Sequence, residues 1–142
     1  MQRARIFRQF PGRLAILLLF ALPNSAHALD TNLILEIAQA PDIGCDDAPD
    51  ELFTTELITV APGNNCVHYR LTATNIGLKT AYNVVVSDLT PAFTTYQKFL
   101  RCSAPDCRIT EPEIGASGRV AGEVSQLESG AALEIIFAVK LE

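Results

Sequence analysis

The stretch from Ala61 to Asp88 reads A-P-G-N-N-C-V-H-Y-R-L-T-A-T-N-I-G-L-K-T-A-Y-N-V-V-V-S-D. It holds two strand-like runs, which Asn75-Ile76-Gly77 separates and a Pro62-Gly63 turn precedes. In the first run every second residue is apolar or aromatic and the others are polar: Val67, Tyr69, Leu71 and Ala73 against His68, Arg70, Thr72 and Thr74. This period of two is typical of a strand with one buried and one solvated face.

Similar runs occur along the rest of the chain. Extended structure is predicted at residues 32–38, 56–61, 93–100, 119–127 and 131–141, with the last two forming a hairpin across residues 128–130. Residues 42–51 and 101–118 are predicted to be loops. Three consecutive valines, Val84 to Val86, predict a strand covered on both faces. About seven strands and no helical period predict an all-β fold, an immunoglobulin-like two-layer antiparallel β-sandwich with Greek-key connections.

The first 28 residues have the pattern of a secretory signal peptide. Four arginines precede the apolar run 14–22, and Ala26-His27-Ala28 supplies a small-x-small cleavage site. Nine apolar residues are too few for a membrane-spanning helix. We therefore expect a signal peptide at 1–28 and a single domain at 29–142, exported to the periplasm or the cell surface, without stable membrane insertion after cleavage.

Charge excludes one class of partner. Cleavage removes four of the 11 basic residues and none of the 16 acidic ones, which changes the net charge from −5 to −9. A surface of this sign repels phosphate backbones and anionic lipid, so we expect no nucleic-acid partner.

The four cysteines, Cys45, Cys66, Cys102 and Cys107, all follow the predicted signal. An even number in an exported chain favours disulfides, and four cysteines allow three pairings. Cys45–Cys66 and Cys102–Cys107 are favoured because each pair is close in sequence and encloses a loop. A four-cysteine zinc site is the alternative, but the usual C-x2-C spacing is missing.

A set of residues resembles the bacterial conserved-repeat family called domain of unknown function eleven. The pattern is P-G-x-x-C-V-x-Y-R-L-x-A-x-N-x-G, then A-x-N-V-V-V-x-D-x-x-P, then L-x-S-G-A-A-L-E-I-I-F-A-V-K, within residues 55–141. The matching residues are Pro62, Gly63, Val67, Tyr69, Asn75, Gly77, Ala81, Asn83, Val84 to Val86, Asp88, Pro91, Leu127, Gly130 and Phe137. The resemblance implies an immunoglobulin-like module of exported and surface proteins, often repeated in adhesin-like chains, whereas this sequence has one copy.

Three residues of this pattern are predicted to be structural. Gly77 can adopt the positive φ of a tight reversal, and Asn75 can hydrogen-bond to the turn backbone. Asp88, like Asn83, is expected to hold loop amides at a strand end, and a role as a ligand or reactive group is the lesser alternative.

Candidate chemistry is sparse. Gly115-Ala116-Ser117-Gly118 lacks the last glycine of a nucleophile elbow, and His68, the one histidine after the signal, is predicted on an exposed strand face. We therefore expect no enzyme and no cofactor. A calcium loop is a weaker possibility, from the acidic residues Asp42, Asp46, Asp47, Asp50 and Glu51. The aromatic residues Tyr69, Tyr82, Phe93, Tyr96, Phe99 and Phe137 are expected to pack in the core.

These observations favour an exported, non-enzymatic structural or adhesion-type module whose partner is another exported protein or a second copy of itself. The alternative is a self-assembling filament subunit in which residues 32–38 donate a strand to a neighbour. A weaker alternative is a small calcium- or glycan-binding protein.

Overall fold

The computed structural model describes residues 31–142, so the predicted signal peptide at 1–28 lies outside the described part. Within that part the chain has seven strands and no helix. The strands are β1 (Leu33–Ile43), β2 (Asn65–Asn75), β3 (Ala81–Leu89), β4 (Thr94–Cys102), β5 (Arg108–Thr110), β6 (Arg119–Leu127) and β7 (Ala132–Leu141). The all-β prediction is confirmed.

The strands form two antiparallel sheets around one core. Sheet A has the order β1-β2-β7-β4, and sheet B has the order β3-β6-β5. Every second residue of β7 is buried against the facing sheet, from Leu133 through Ile135 and Phe137 to Val139. The strand predicted at residues 131–141 therefore supplies the centre of the core. The order differs from that of constant immunoglobulin domains, which place the fifth strand between the second and fourth.

The predicted hairpin of the last two strands is wrong. β6 and β7 are strands, but β6 belongs to sheet B and β7 to sheet A. The reason lies in Asn75, which is fully buried and whose Nδ2 donates to Leu127 O at 2.9 Å and to Lys79 O at 2.8 Å. Its backbone also accepts from Gly130 N and donates to Ala131 O. One side chain thus fixes the β6–β7 connection, and the β2–β3 connection beside it, as passages between the sheets.

Two predicted segments also differ. Residues 56–61 form no strand, because they pair with no neighbouring strand; the isolated bridge of this region joins Thr54, outside the segment, to Gln39. Ile58 and Val60 instead pack against the core from an irregular segment. Within the predicted loop 101–118, β5 is a short strand paired with β6. The number of strands is seven, as predicted, but β5 is present in place of the strand predicted at residues 56–61.

The two sheets differ in width, which leaves one side of the sandwich partly open. Sheet A has four strands and sheet B three, and β3 is an edge strand of sheet B. Val84 and Val86 are buried, whereas Val85 is 47% exposed, so the prediction of a strand covered on both faces is wrong. Because β3 packs on the core with one face only, its buried and exposed residues alternate, as in other antiparallel sheets with one solvated face.

Candidate functional site

A loop of residues 44–64, called here the covering loop, joins β1 to β2 and is anchored at its base. Cys45 and Cys66 form a disulfide across that base, and Cys66 is almost fully buried. Further along, Thr54 exchanges two backbone hydrogen bonds with Gln39 at 2.8 and 2.9 Å. The loop is therefore held both at its ends and against the outer edge of β1.

A buried polar pair lies beneath this loop. His68 Nε2 is 2.9 Å from Asp42 Oδ2, and both side chains are 1% exposed. The carboxylate of Asp42 also accepts from the amides of Asp46 and Asp47 at 3.0 and 3.2 Å. The predicted exposure of His68 is wrong, because the covering loop buries the polar face of β2. Asp42 itself belongs to β1 rather than to the loop.

The proposed calcium ligands are directed to other partners. Asp50 Oδ2 accepts from Ile43 N at 2.5 Å, and Asp47 Oδ2 forms an ion pair with Lys98 Nζ at 2.7 Å. Asp46 Oδ1 accepts from Ala48 N at 3.2 Å. Within residues 31–142 no group of three or more His, Cys, Asp or Glu side chains is arranged to hold a metal ion. The four aspartates act instead as acceptors that shape the loop.

The loop spreads over the outer face of sheet A. The guanidinium of Arg70 lies 4.7 Å from the centroid of the Phe53 ring, a cation–π geometry. The Asp47–Lys98 pair connects the loop to β4 at the far edge of the same sheet. Ala38 and Ala40 of β1 are buried, although they lie on this outer side, because the loop covers them.

The first half of β1 has no such cover. Leu33, Leu35 and Ile37 are 44%, 54% and 46% exposed, and Ile34 is 51% exposed. Residues 33–37, called here the open edge, form the outermost strand segment of sheet A. Below it a groove runs along β3, lined by Leu33, Leu35, Ala73, Val84 and Val86 among others. The open edge thus presents four exposed aliphatic residues within five consecutive strand positions, beside a groove floored by buried residues.

The residues predicted to be structural, Gly77, Asp88 and Asn83, lie near strand ends or at irregular strand positions. Gly77 N donates to Asn75 Oδ1 at 3.0 Å, but Gly77 does not have the predicted positive φ. A Cβ at Gly77 would lie 2.6 Å from Asn32 N, so close backbone approach explains the glycine. Asp88 Oδ1 accepts from Leu89 N at 2.8 Å. Asn83 is the residue of β3 that adopts a positive φ, of 54°.

The second disulfide joins the two sheets. Cys102 ends β4 of sheet A, Cys107 directly precedes β5 of sheet B, and the two are bonded. Both favoured disulfide pairings are therefore present. Gly122 of β6 lies under this bridge: a Cβ there would meet Ile135 Cγ2 at 2.6 Å and Cys107 Sγ at 3.1 Å. The glycine makes room for the sulfur atoms in the core.

The structure does not bring the candidate catalytic groups together. Ser117 Oγ donates to Thr94 O at 3.1 Å, while His68 pairs with Asp42. Of the aromatic residues, Tyr96 and Phe137 are buried, and Tyr69 stacks on Phe137 with centroids 5.6 Å apart. The core prediction is wrong for Tyr82 and Phe93, which are 70% and 87% exposed.

Comparison with family models, curated proteins and solved structures finds no match for this chain. In residues 31–142 no helix is long and apolar enough to cross a membrane. The two disulfides indicate an oxidising, non-cytoplasmic location.

Proposed function

We propose that this chain is an exported, non-enzymatic structural or adhesion-type module of the bacterial envelope or surface, and that it acts by protein–protein contact. The supporting observation is a rigid sandwich that leaves one apolar strand segment uncovered. The open edge exposes four large aliphatic side chains next to a loop fixed by a disulfide. Edge strands of this kind are ready templates for pairing with another chain.

Several observations support export in particular. The signal-like pattern at 1–28 precedes the domain, and all four cysteines are paired. Disulfides form and persist in oxidising compartments, so two of them are consistent with an exported chain. The resemblance to the conserved-repeat family adds an expected setting, that of exported and surface proteins.

Thiol state and location together test the proposal. The full-length gene is expressed in a bacterial host, fractions are quenched with acid, and free thiols are alkylated before and after reduction. We expect the protein in the periplasm or medium, with a new amino terminus near residue 29 and four thiols that react only after reduction. A cytoplasmic protein with four reactive thiols would contradict export.

Contact with other proteins is tested separately, by cross-linking in intact cells. Photo-reactive residues are placed at the open edge, at Leu35, and at Leu57, an equally apolar residue that is 96% exposed and outside it. We expect a discrete cross-linked species from position 35 and none from position 57. Equal cross-linking at both positions would argue against a specific contact surface.

A self-assembling filament is the second candidate, since the open edge overlaps the segment 32–38 that a donated strand would use. In the structure β1 pairs with β2 of its own chain along its whole length, from Leu33↔Asn75 to Ile43↔Asn65. Deletion of residues 29–40 distinguishes the two roles. A folded monomer that no longer polymerises supports strand donation, whereas loss of folding supports an intrachain strand.

A further inference from the structure

We infer that the open edge is a self-recognition surface: two copies of the chain pair through residues 33–37 of β1, antiparallel, about a two-fold axis at Leu35. This inference rests on the proposed function and names its partner, a second copy. The result would be one continuous eight-stranded sheet, in which the two β1 strands lie side by side at the centre. Such a contact is isologous and closed, so it forms a dimer and not a filament.

The backbone groups that pairing needs point outward. Gln39 N and O both bond to Thr54, on the side of β1 away from β2. Asn32 O accepts from Ile76 N, which lies at the β2 side. The β1–β2 register has no shift, so the odd-numbered residues of β1 direct their N–H and C=O groups away from the sheet. Leu33, Leu35 and Ile37 therefore offer them to a partner.

The protein leaves this edge unguarded. Edge strands are commonly protected by proline, charged side chains or a bulge; residues 33–37 contain no proline, lysine or bulge, and Glu36 is their one charge. The protection begins where the edge ends, because Thr54 occupies the outer side of β1 at Gln39. The covering loop thus limits a pairing strand to residues 33–37, four of which are exposed aliphatic residues.

The sequence of the open edge is self-complementary. With the axis at Leu35, this residue faces its own copy, and Leu33 faces Ile37 of the other copy. These three pairs are hydrogen-bonded ones, which gives about six backbone hydrogen bonds. Glu36, the one charge in the segment, faces Ile34 of the other copy and not a second glutamate. An axis at Glu36 would place two carboxylates directly opposite each other, which destabilises an antiparallel pair.

The area involved predicts a weak dimer. The four aliphatic residues of each copy are about half exposed, and pairing would bury on the order of 600 Å² in total, below the size of standard specific interfaces. We therefore expect weak association, in the upper micromolar range, and a dimer that forms as concentration rises.

Sedimentation velocity of the purified full-chain product, with its disulfides intact, tests this from roughly 1 to 500 µM. The wild type should pass from monomer to dimer. Leu35→Lys puts two lysines opposite each other and should weaken dimerisation at least about 30-fold. Leu57→Lys, the matched change at an exposed leucine elsewhere, should change it less than about threefold. Circular dichroism and denaturation show that each variant is folded.

A further variant tests the register in which the two β1 strands pair. Ile34→Lys places a lysine opposite Glu36 of the other copy, so it should keep or strengthen the dimer, and added salt should weaken the gain. Non-specific apolar association would instead be lost with this change as with Leu35→Lys, and that result would overturn the inference. So would a wild type that stays monomeric at the highest concentration. An exported monomer whose position 35 cross-links to a different protein would overturn self-pairing and leave the proposed function standing.

Discussion

At the scale of single residues, Asn75 stands out because one side chain connects three segments. It is fully buried, its Nδ2 donates to Lys79 O and Leu127 O, and its Oδ1 accepts from Gly77 N. All three of these hydrogen bonds join the side-chain amide to main-chain atoms. Asparagine is the residue whose short amide can donate twice and accept at the same position.

Replacing Asn75 by alanine should cost at least about 3 kcal/mol of unfolding free energy, because it leaves buried carbonyl and amide groups without partners. Urea denaturation measures this. Gln126→Ala removes an amide from an exposed strand position and should cost less than about 1 kcal/mol. Equal losses in the two variants would contradict the role given to Asn75.

Asp42 shows the same use of a polar group at the residue scale, and it leads to a prediction about calcium. Its carboxylate already accepts hydrogen bonds from Asp46 N, Asp47 N and His68. These bonds would have to break before the carboxylate could bind a calcium ion. We expect millimolar calcium to change the melting temperature by less than about 1 °C. A rise of several degrees that magnesium does not reproduce would restore the calcium-loop hypothesis.

At the scale of elements, the exposed and buried faces show what the sequence could predict. β2 and β7 were predicted because strands in the middle of a sheet pack on the facing sheet at every second residue, and this leaves a regular pattern. β5 leaves none, since its three residues are all exposed. Segment 56–61 has the composition of a strand but no neighbour for its backbone. A strand is defined by pairing, and pairing depends on distant residues.

The functional surfaces were predicted less completely for a related reason. Spacing and the expected compartment favour the two cysteine pairs among three possible pairings, and these two are present. The burial of His68 depends on a loop that folds back over its sheet, and alternation within β2 carries no sign of that. The sequence predicts residues 32–38 as a strand that a neighbour could receive, but the exposure of the open edge depends on sheet B being one strand narrower.

Gly122 provides a test at the element scale. A methyl group at this position of β6 would press on Ile135, a stiff β-branched side chain, and on the Cys102–Cys107 bridge. Gly122→Ala should therefore lower the unfolding free energy by about 2 kcal/mol. Ser125→Ala, at an exposed position of the same strand, should stay within about 0.5 kcal/mol. A neutral Gly122→Ala would show that the packing beneath the disulfide is looser than described.

At the scale of the whole molecule, the two disulfides account for much of the expected stability. They close sequence separations of 21 and 5 residues. On the chain-entropy estimate, replacing Cys45 and Cys66 by alanine should cost about 3 kcal/mol, and replacing Cys102 and Cys107 about 2 kcal/mol. Since small domains have about 5–15 kcal/mol in all, the variant lacking both should be largely unfolded by heating or mild denaturant. If the variant that lacks both disulfides kept the wild-type urea midpoint, this expectation would be wrong.

Two tyrosines make the whole fold sensitive to high pH. Burial, and then the hydrogen bond to the carboxylate of Glu111, raise the pKa of Tyr96 well above its ordinary value of 10.0. Burial, and then the charge of Asp88, raise the pKa of Tyr69. The folded state therefore holds these protons after the unfolded state has released them. This contribution to stability is complete below pH 10 and is lost as the pH rises through the folded-state values.

Urea midpoints measured from pH 8 to pH 12 should accordingly fall above about pH 10. Tyr96→Phe should be about 1 kcal/mol less stable at neutral pH, because the bond to Glu111 is gone, and should decline less steeply in alkali. Tyr82→Phe, at an exposed tyrosine, should keep the wild-type decline. A steeper decline in Tyr96→Phe would reverse the sign and refute the assignment.

The place of β7 in sheet A bears on how the chain is made. β7 follows the other six strands in the sequence, yet it lies between β2 and β4, and β4 has no other neighbour in that sheet. Until β7 has been synthesised, β2 and β4 therefore have no strand between them, and sheet A cannot be completed. The assembly of this sheet depends on contacts between segments far apart in the sequence, which is expected to make folding slow relative to a sheet built from successive hairpins.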